Sequence, residues 1–253
     1  RTGYGRAEGS AGRTGGIIMA EIKKIATRDS YGNALKELGA VCDNLVVLDA
    51  DLAGATKTGV FKKAFPERFV DCGIAECDLM GIAAGMATCG KIPFVVTYAV
   101  FGSERMLEMI RQEICYPRLN VKIACSHGGF TPANDGASHQ AIEDMGILRT
   151  IPNISIMMPA DYNQAKKLVR AAAENYGPMY LRFTRDAMDQ IYDESVEFTI
   201  GKAHQIQDGK DVAIIANGEI YSISGSRVAN GTKVPAGVYI VRQGKTAKKV
   251  LVK

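Results

Sequence analysis

Short apolar strands, each separated from the next by a helical stretch, constrain this chain more than any other feature of its sequence. "NLVVLDAD", "ERFVDCG", "KIPFVVTYA", "NVKIACSH", "ISIMMPA" and "MYLRFT" read as strands. Between them lie segments with helical signals. Asp29 or Ser30 can cap a helix running through about Leu38, and a second helix follows Glu76. Further helices are read in "SERMLEMIRQEICY", "HQAIEDMGILRT" and "ADYNQAKKLVRAAAEN". This pattern predicts an α/β fold: a parallel sheet covered by helices on both faces.

At 253 residues and 47% hydrophobic, the chain can bury a substantial core in one large domain or two smaller ones. The net charge of +4 is small, and no basic stripe with interleaved aromatics argues for nucleic acid. No apolar run approaches the length of a membrane span. The six cysteines include no C-x-x-C pair and are read as reduced thiols of a cytoplasmic protein. Residues 1–18, rich in Gly and Arg, lack the apolar core of a signal peptide and are expected to be a disordered extension. Met19 looks like a natural start, and the main domain is expected over residues 19–200.

The pattern breaks near residue 220. "DVAIIANG" (211–218) ought to open another α/β unit, but the chain continues as short alternating stretches with Gly and Pro turns. Residues 201–220 are therefore expected to be a domain remnant, and 221–253 a small antiparallel β module with a seam at Ile220 and Tyr221.

Glu76 stands at the head of the apolar run "GIAECDLMGIAAGMA". One reading places it in a first helical turn, facing the positive end of the macrodipole. The other buries the carboxylate, which must then be protonated or paired, because an unpaired buried charge is very costly. Two of the three histidines, His127 and His139, flank a Gly-rich loop that also carries Asp135. That loop follows a strand, at the expected C-terminal edge of the sheet, where ligands bind in such folds. The spacing of these residues is too wide for a compact zinc set, and no metal ligand is assigned.

Taken in order, these motifs resemble the pyrimidine-binding domain of transketolase, as found in the small C-terminal subunit of split transketolases. The resemblance covers about Lys23 to Gly218. It implies thiamine diphosphate as cofactor and transfer of a two-carbon ketol unit between sugar phosphates. It makes Glu76 in "GIAECDLMGIAAGMA" the cofactor-activating residue, its protonated carboxyl donating a hydrogen bond to N1′ of the aminopyrimidine. "TYAVFGSERM" would place Phe101 to stack on the pyrimidine with Tyr98 beside it, and "DADLAGATKT" would bring Asp51 near the cofactor. "SHGGFTPANDGASHQ" would supply His127 and His139 as catalytic, substrate-contacting groups, with Asp135 on a substrate hydroxyl. Arg28 in "ATRDSYGNAL" and Arg185 in "LRFTRDAM" would meet phosphate, a task that suits the guanidinium fork.

The departures are specific. A further aromatic of the pyrimidine segment is replaced around Glu104, and a phosphate-binding serine is replaced near Ala55 and Thr56. No G-D-G segment with its downstream Asn, which holds Mg2+ and diphosphate in the family, occurs in the sequence. The resemblance therefore implies that an N-terminal transketolase subunit supplies that half, in a heterotetramer containing a dimer of this chain. The rival readings are a 2-oxo acid dehydrogenase beta subunit, a deoxyxylulose phosphate synthase-like half, and an inactive scaffold or surface module. The tail, with "GVYIV" and "KKVLVK", resembles a type IX secretion sorting domain; a gene fusion or an assembly artefact would account for the join.

Overall fold

The computed structural model describes residues 24–202 and, as backbone strands alone, 220–222, 237–243 and 246–252. Two compact units divide at Val196 and Glu197.

The first unit opens with β1 (Lys24–Ala26) and α1 (Thr27–Gly39), followed by β2 (Leu45–Asp49) and two short helices, α2 (Ala53–Thr56) and α3 (Gly59–Ala64). β3 (Phe69–Asp71), α4 (Glu76–Thr88) and β4 (Ile92–Val96) come next. A helical rod over 101–115 then combines a π turn (Phe101–Arg105), a short α segment α5 (Leu107–Met109) and a second π turn (Ile110–Cys115). β5 (Lys122–Cys125), α6 (Asp144–Leu148), β6 (Ser155–Met157), α7 (Tyr162–Glu174), β7 (Met179–Arg182) and β8 (Ala187–Asp189) complete it.

Six strands form one parallel sheet in the order β3-β2-β4-β5-β7-β6. Its strands are mostly apolar because both faces are covered, with charged residues at strand ends such as Asp49, Lys122 and Arg182. Side chains alternate between two cores, as a period of two requires. Val46, Leu48, Val95, Ile123 and Tyr180 pack with α4, the 101–115 rod and α6. Leu45, Val47, Phe94, Val96, Ala124 and Leu181 pack with α1, α3 and α7. The expected α/β architecture is present. β1 and β8 pair antiparallel as a separate ribbon.

Several boundaries differ from expectation. Neither Asp29 nor Ser30 caps α1, which already begins at Thr27. The Ser30 hydroxyl instead donates to the Tyr162 carbonyl (2.6 Å), and Asp29 pairs with Lys57. The helix expected over 139–150 contracts to α6, because Ala141 is drawn into backbone pairing with Gly129 (2.7 and 3.2 Å) and residues 140–142 cannot wind. The 101–115 rod is helical as expected but partly π-wound: Met106 N–H reaches the Phe101 carbonyl and Tyr116 N–H that of Arg111. The rod lies so close to β5 that a Cβ on Gly102 would collide with the Cys125 sulfur. By contrast, α7 is capped conventionally, with the Asp161 carboxylate accepting from Gln164 N–H (2.8 Å).

In the second unit, β9 (Ile220–Ser222), β10 (Gly237–Gln243) and β11 (Thr246–Val252) form an antiparallel sheet in the order β11-β10-β9. The antiparallel module is thus present, but the seam expected at Ile220 and Tyr221 falls inside β9. The expectations for residues 1–18 and for the strand at 211–218 lie outside the described residues.

Candidate active site

The strand order changes direction at β2, whose neighbours are β3 and β4, and this opens a crevice at the C-terminal edge of the sheet. Most of the candidate side chains sit on segments that leave this edge. Glu76 follows β3, Tyr98 and Phe101 follow β4, His127 and His139 follow β5, and Arg185 follows β7.

Glu76 satisfies both of its readings. It is the first residue of α4, and its side chain is only 3% exposed. The buried carboxylate is paired: Arg105 Nη1 lies 3.1 Å from Glu76 Oε2. Arg105 itself is half exposed, and its guanidinium carbon lies 5.1 Å from the centre of the Phe101 ring. The rings of Phe101 and Tyr98 are nearly parallel, 8° apart at 6.1 Å. Beside them lies an open hollow of about 370 Å³ lined by Val100, Phe101, Glu104, Arg105 and Ser138.

His127 is fully packed and stacks on Tyr98 with centroids 3.9 Å apart. Its φ of 61° is a left-handed conformation unusual for a residue with a side chain, and the surrounding packing must hold it. Arg28 Nη1 lies 3.2 Å from His127 Nε2. A guanidinium has donors only, so Nε2 accepts, the proton sits on Nδ1, and Nδ1–H donates to Ser126 Oγ at 2.9 Å. Burial pushes this imidazole down to about 4, and the Arg28 and Arg185 charges act the same way against a smaller upward effect of Asp135. His127 is thus neutral at pH 7, with both ring nitrogens engaged. In this arrangement His127 presents a lone pair at Nε2, and Arg28 occupies it.

Arg28 also donates to the Ala55 carbonyl (3.0 Å), while its buried Nε has no hydrogen-bond partner. His139 sits in a 3-10 turn, edge-on to Phe101 (5.4 Å) and Tyr98 (6.1 Å), with Nδ1 3.0 Å from Ser138 Oγ. Arg185 donates to the Pro132 carbonyl at 2.7 Å. Asp135 is exposed in the turn before His139, close enough that its charge, after burial, raises the Tyr98 hydroxyl pKa.

Asp51 stands apart. It is exposed with φ 60°, and among the described residues no hydrogen bond or ion pair joins its side chain to the other candidates. Its neighbour Asp49 is the buried member of that segment, accepting from the hydroxyls of Thr56 (2.9 Å) and Thr58 (2.7 Å). This knot folds the loop that brings the Ala55 carbonyl to Arg28. Sequence reasoning missed Asp49 and Arg105. An Asp closing an otherwise apolar strand, with two Thr a few residues on, was a signal for the first. The second had only the presence of a cation in the aromatic segment.

Residues 23–190 match the family model "Transketolase, pyrimidine binding domain". The chain belongs to the transketolase family. It is 49% identical over 194 residues to a Methanocaldococcus jannaschii chain named for the C-terminal section of a transketolase, covering 76% of this chain and 61% of that one. It is 39% identical over 196 residues to an apulose-4-phosphate transketolase subunit of Phocaeicola vulgatus, covering 77% and 63% respectively. A solved structure described as "Split gene transketolase, inactive beta4 tetramer" superposes with a TM-score of 0.68 at 51% identity, over 74% of this chain and 60% of that one. The chain thus spans about three fifths of the length of these relatives. Among the described residues, no helix is long and apolar enough to cross a membrane.

Proposed function

We propose that this chain is the pyrimidine-half subunit of a thiamine-diphosphate-dependent transketolase that moves a two-carbon ketol unit between sugar phosphates. The observation that carries the reading is the buried Glu76 carboxylate at the head of α4, beside the parallel Tyr98 and Phe101 rings. A carboxylate and an aromatic face side by side suit an aminopyrimidine, which offers ring nitrogens and a flat π surface. Bound there, thiamine diphosphate would supply the carbanion-stabilising chemistry that no protein side chain provides.

The chain's own residues then have distinct tasks. Glu76 hydrogen-bonds the pyrimidine ring and holds the proton that activates it. Phe101, with Tyr98 beside it, supplies the stacking face; a cofactor role for Asp51 rests on the family resemblance alone, since its side chain stands apart from these groups. Arg28, whose buried Nε lacks a partner, and Arg185 receive an anionic phosphate oxygen. Once phosphate competes for Arg28, His127 Nε2 is free to accept a substrate hydroxyl. His139 and Asp135 face the same space and orient further hydroxyls.

A partner subunit would hold the diphosphate and Mg2+, and two copies of this chain would pair within a heterotetramer. The Phocaeicola vulgatus relative, itself named as one subunit of a transketolase, and the neighbour described as split-gene support that arrangement. The neighbour's description as an inactive β4 tetramer favours assembly of such chains without turnover when they are alone. We place the enzyme in the cytoplasm, as the six unpaired thiols suggest.

The test is co-expression with a candidate N-terminal subunit and a ketol-transfer assay with thiamine diphosphate and Mg2+. The pair should turn over, while the same pair carrying Glu76→Gln should bind its partner and lose activity by at least 100-fold. Full activity of the Glu76→Gln pair would return Glu76 to a helix-capping role.

A further inference from the structure

Arg105 touches both groups that the proposed function assigns to the pyrimidine. Its Nη1 lies 3.1 Å from the buried Glu76 carboxylate, and its guanidinium carbon lies 5.1 Å from the Phe101 ring centre. A guanidinium is planar, carries N–H donors on its edge and stacks on aromatic faces. It therefore covers Phe101 with a flat surface as an aminopyrimidine would, and it takes Glu76 as its hydrogen-bond partner, donating to the carboxylate where a ring nitrogen would accept from the protonated carboxyl. Arg105 also lines the open hollow beside Phe101. It closes the π turn Phe101–Arg105, which sets the guanidinium over the ring four residues earlier. Its side chain is 53% exposed, so it can swing outward without disturbing the core.

Resting on the function proposed above, we propose that Arg105 is a built-in occupant of the pyrimidine place. It neutralises Glu76 in the cofactor-free chain and must be displaced when thiamine diphosphate binds. Two physical arguments support this. A carboxylate 3% exposed needs a partner before the cofactor arrives, because an uncompensated buried charge is strongly destabilising. That partner must also leave cheaply, and a half-exposed arginine recovers its hydration as it swings out. A protein whose binding-competent state is only a fraction of the population binds with its affinity reduced by that fraction. Arg105 is on this reading a positioning residue that sets cofactor affinity and entry rate. It takes no part in ketol transfer itself.

The test uses the complete chain paired with its N-terminal subunit, with thiamine diphosphate and Mg2+ as the probe. Calorimetry gives affinity, and stopped-flow gives the entry rate. The unmodified pair should bind with a rate that saturates as cofactor concentration rises, reporting the swing of Arg105. Arg105→Ala should bind at least fivefold tighter with a rate linear in concentration, and Arg105→Lys should fall between. Arg105→Gln serves as a second variant if Arg105→Ala does not fold. Unchanged or weaker cofactor affinity in Arg105→Ala or Arg105→Gln would overturn the proposal and make the ion pair a support of the bound state. Failure of the unmodified pair to bind thiamine diphosphate would instead strike the function on which the proposal rests, and the proposal with it.

Discussion

Replacing His127 with Asn should flatten the acid limb of the chain's stability. Burial and the Arg28 and Arg185 charges hold the folded imidazole at about 4, against an ordinary value of 6.5. The groups facing it are Arg28 from α1, Tyr98 after β4, Asp135 and His139 on the following loop, and Arg185 after β7. The unfolded chain therefore binds a proton at His127 between those two values while the folded chain does not. Stability from this group is fully present above pH 6.5, falls as pH drops toward 4, and then levels off. The cost of keeping the ring neutral is about 0.2 kcal/mol at pH 7 and about 2 kcal/mol at pH 5, so lowering the pH over that interval removes about 1.8 kcal/mol. Asn tolerates the left-handed backbone at this position and does not titrate. Urea unfolding of both proteins at pH 7 and pH 5 checks the argument. The native chain should lose about 1.8 kcal/mol more than His127→Asn over that interval. Equal losses would mean that the folded imidazole protonates freely, and the assignment of Nε2 as an acceptor from Arg28 would fall with it.

Phe101→Ala should weaken thiamine diphosphate binding by the assembled pair by about 1 kcal/mol or slightly more, the contribution of aromatic stacking, read by calorimetry. Asp144→Ala should destabilise the chain by about 3–5 kcal/mol in urea unfolding. That carboxylate accepts from Arg182 Nε and Tyr180 OH, both at 2.7 Å, and its loss leaves a guanidinium 8% exposed without its counter-charge. A chain ending at Lys202 keeps every element from β1 to β8, so its melting temperature should stay within a few degrees of the full chain's; a large drop would show that the antiparallel module supports the parallel sheet.

The sheet was legible because its strands are buried on both faces. "NLVVLDAD" and "NVKIACSH" need apolar residues at consecutive positions, and few other structures demand that. What misled is tertiary. Ala141 lies in a segment with helical composition, yet pairing with Gly129 overrides propensity there. The π turns at 101–105 and 110–115 each add one residue to a single turn, and an apolar run of this composition carries no signal that tells such a turn from an α turn. Individual candidate residues were readable where they sit in unusual company, as Glu76 does in an apolar run. Their pairings were not: Arg105 is 29 positions from Glu76, and Arg28 is 99 from His127. Only the stacking of β4 and β5 against their neighbours brings those partners together.

These pairings divide the candidate site into a fixed wall and an open rim. Asp49 ties down the loop that presents the Ala55 carbonyl, that carbonyl and His127 hold Arg28, and Ser126 and Tyr98 hold His127. Each member is set by a hydrogen bond or ring contact to the next, so the wall is preorganised before any ligand arrives, which is what positioning of a phosphate or a hydroxyl requires. Asp135, Ser138 and Arg105 lie on the rim with exposed side chains, and Glu76 connects the two through its pair with Arg105. A second chain closing over this edge would remove water from the rim and strengthen its charges while leaving the wall nearly as it is. On the function proposed above, that asymmetry would let one subunit fold with the wall in place and still depend on a partner for chemistry. The wall needs only its own strands, but a rim left in water gives its charged groups little power over a reacting atom.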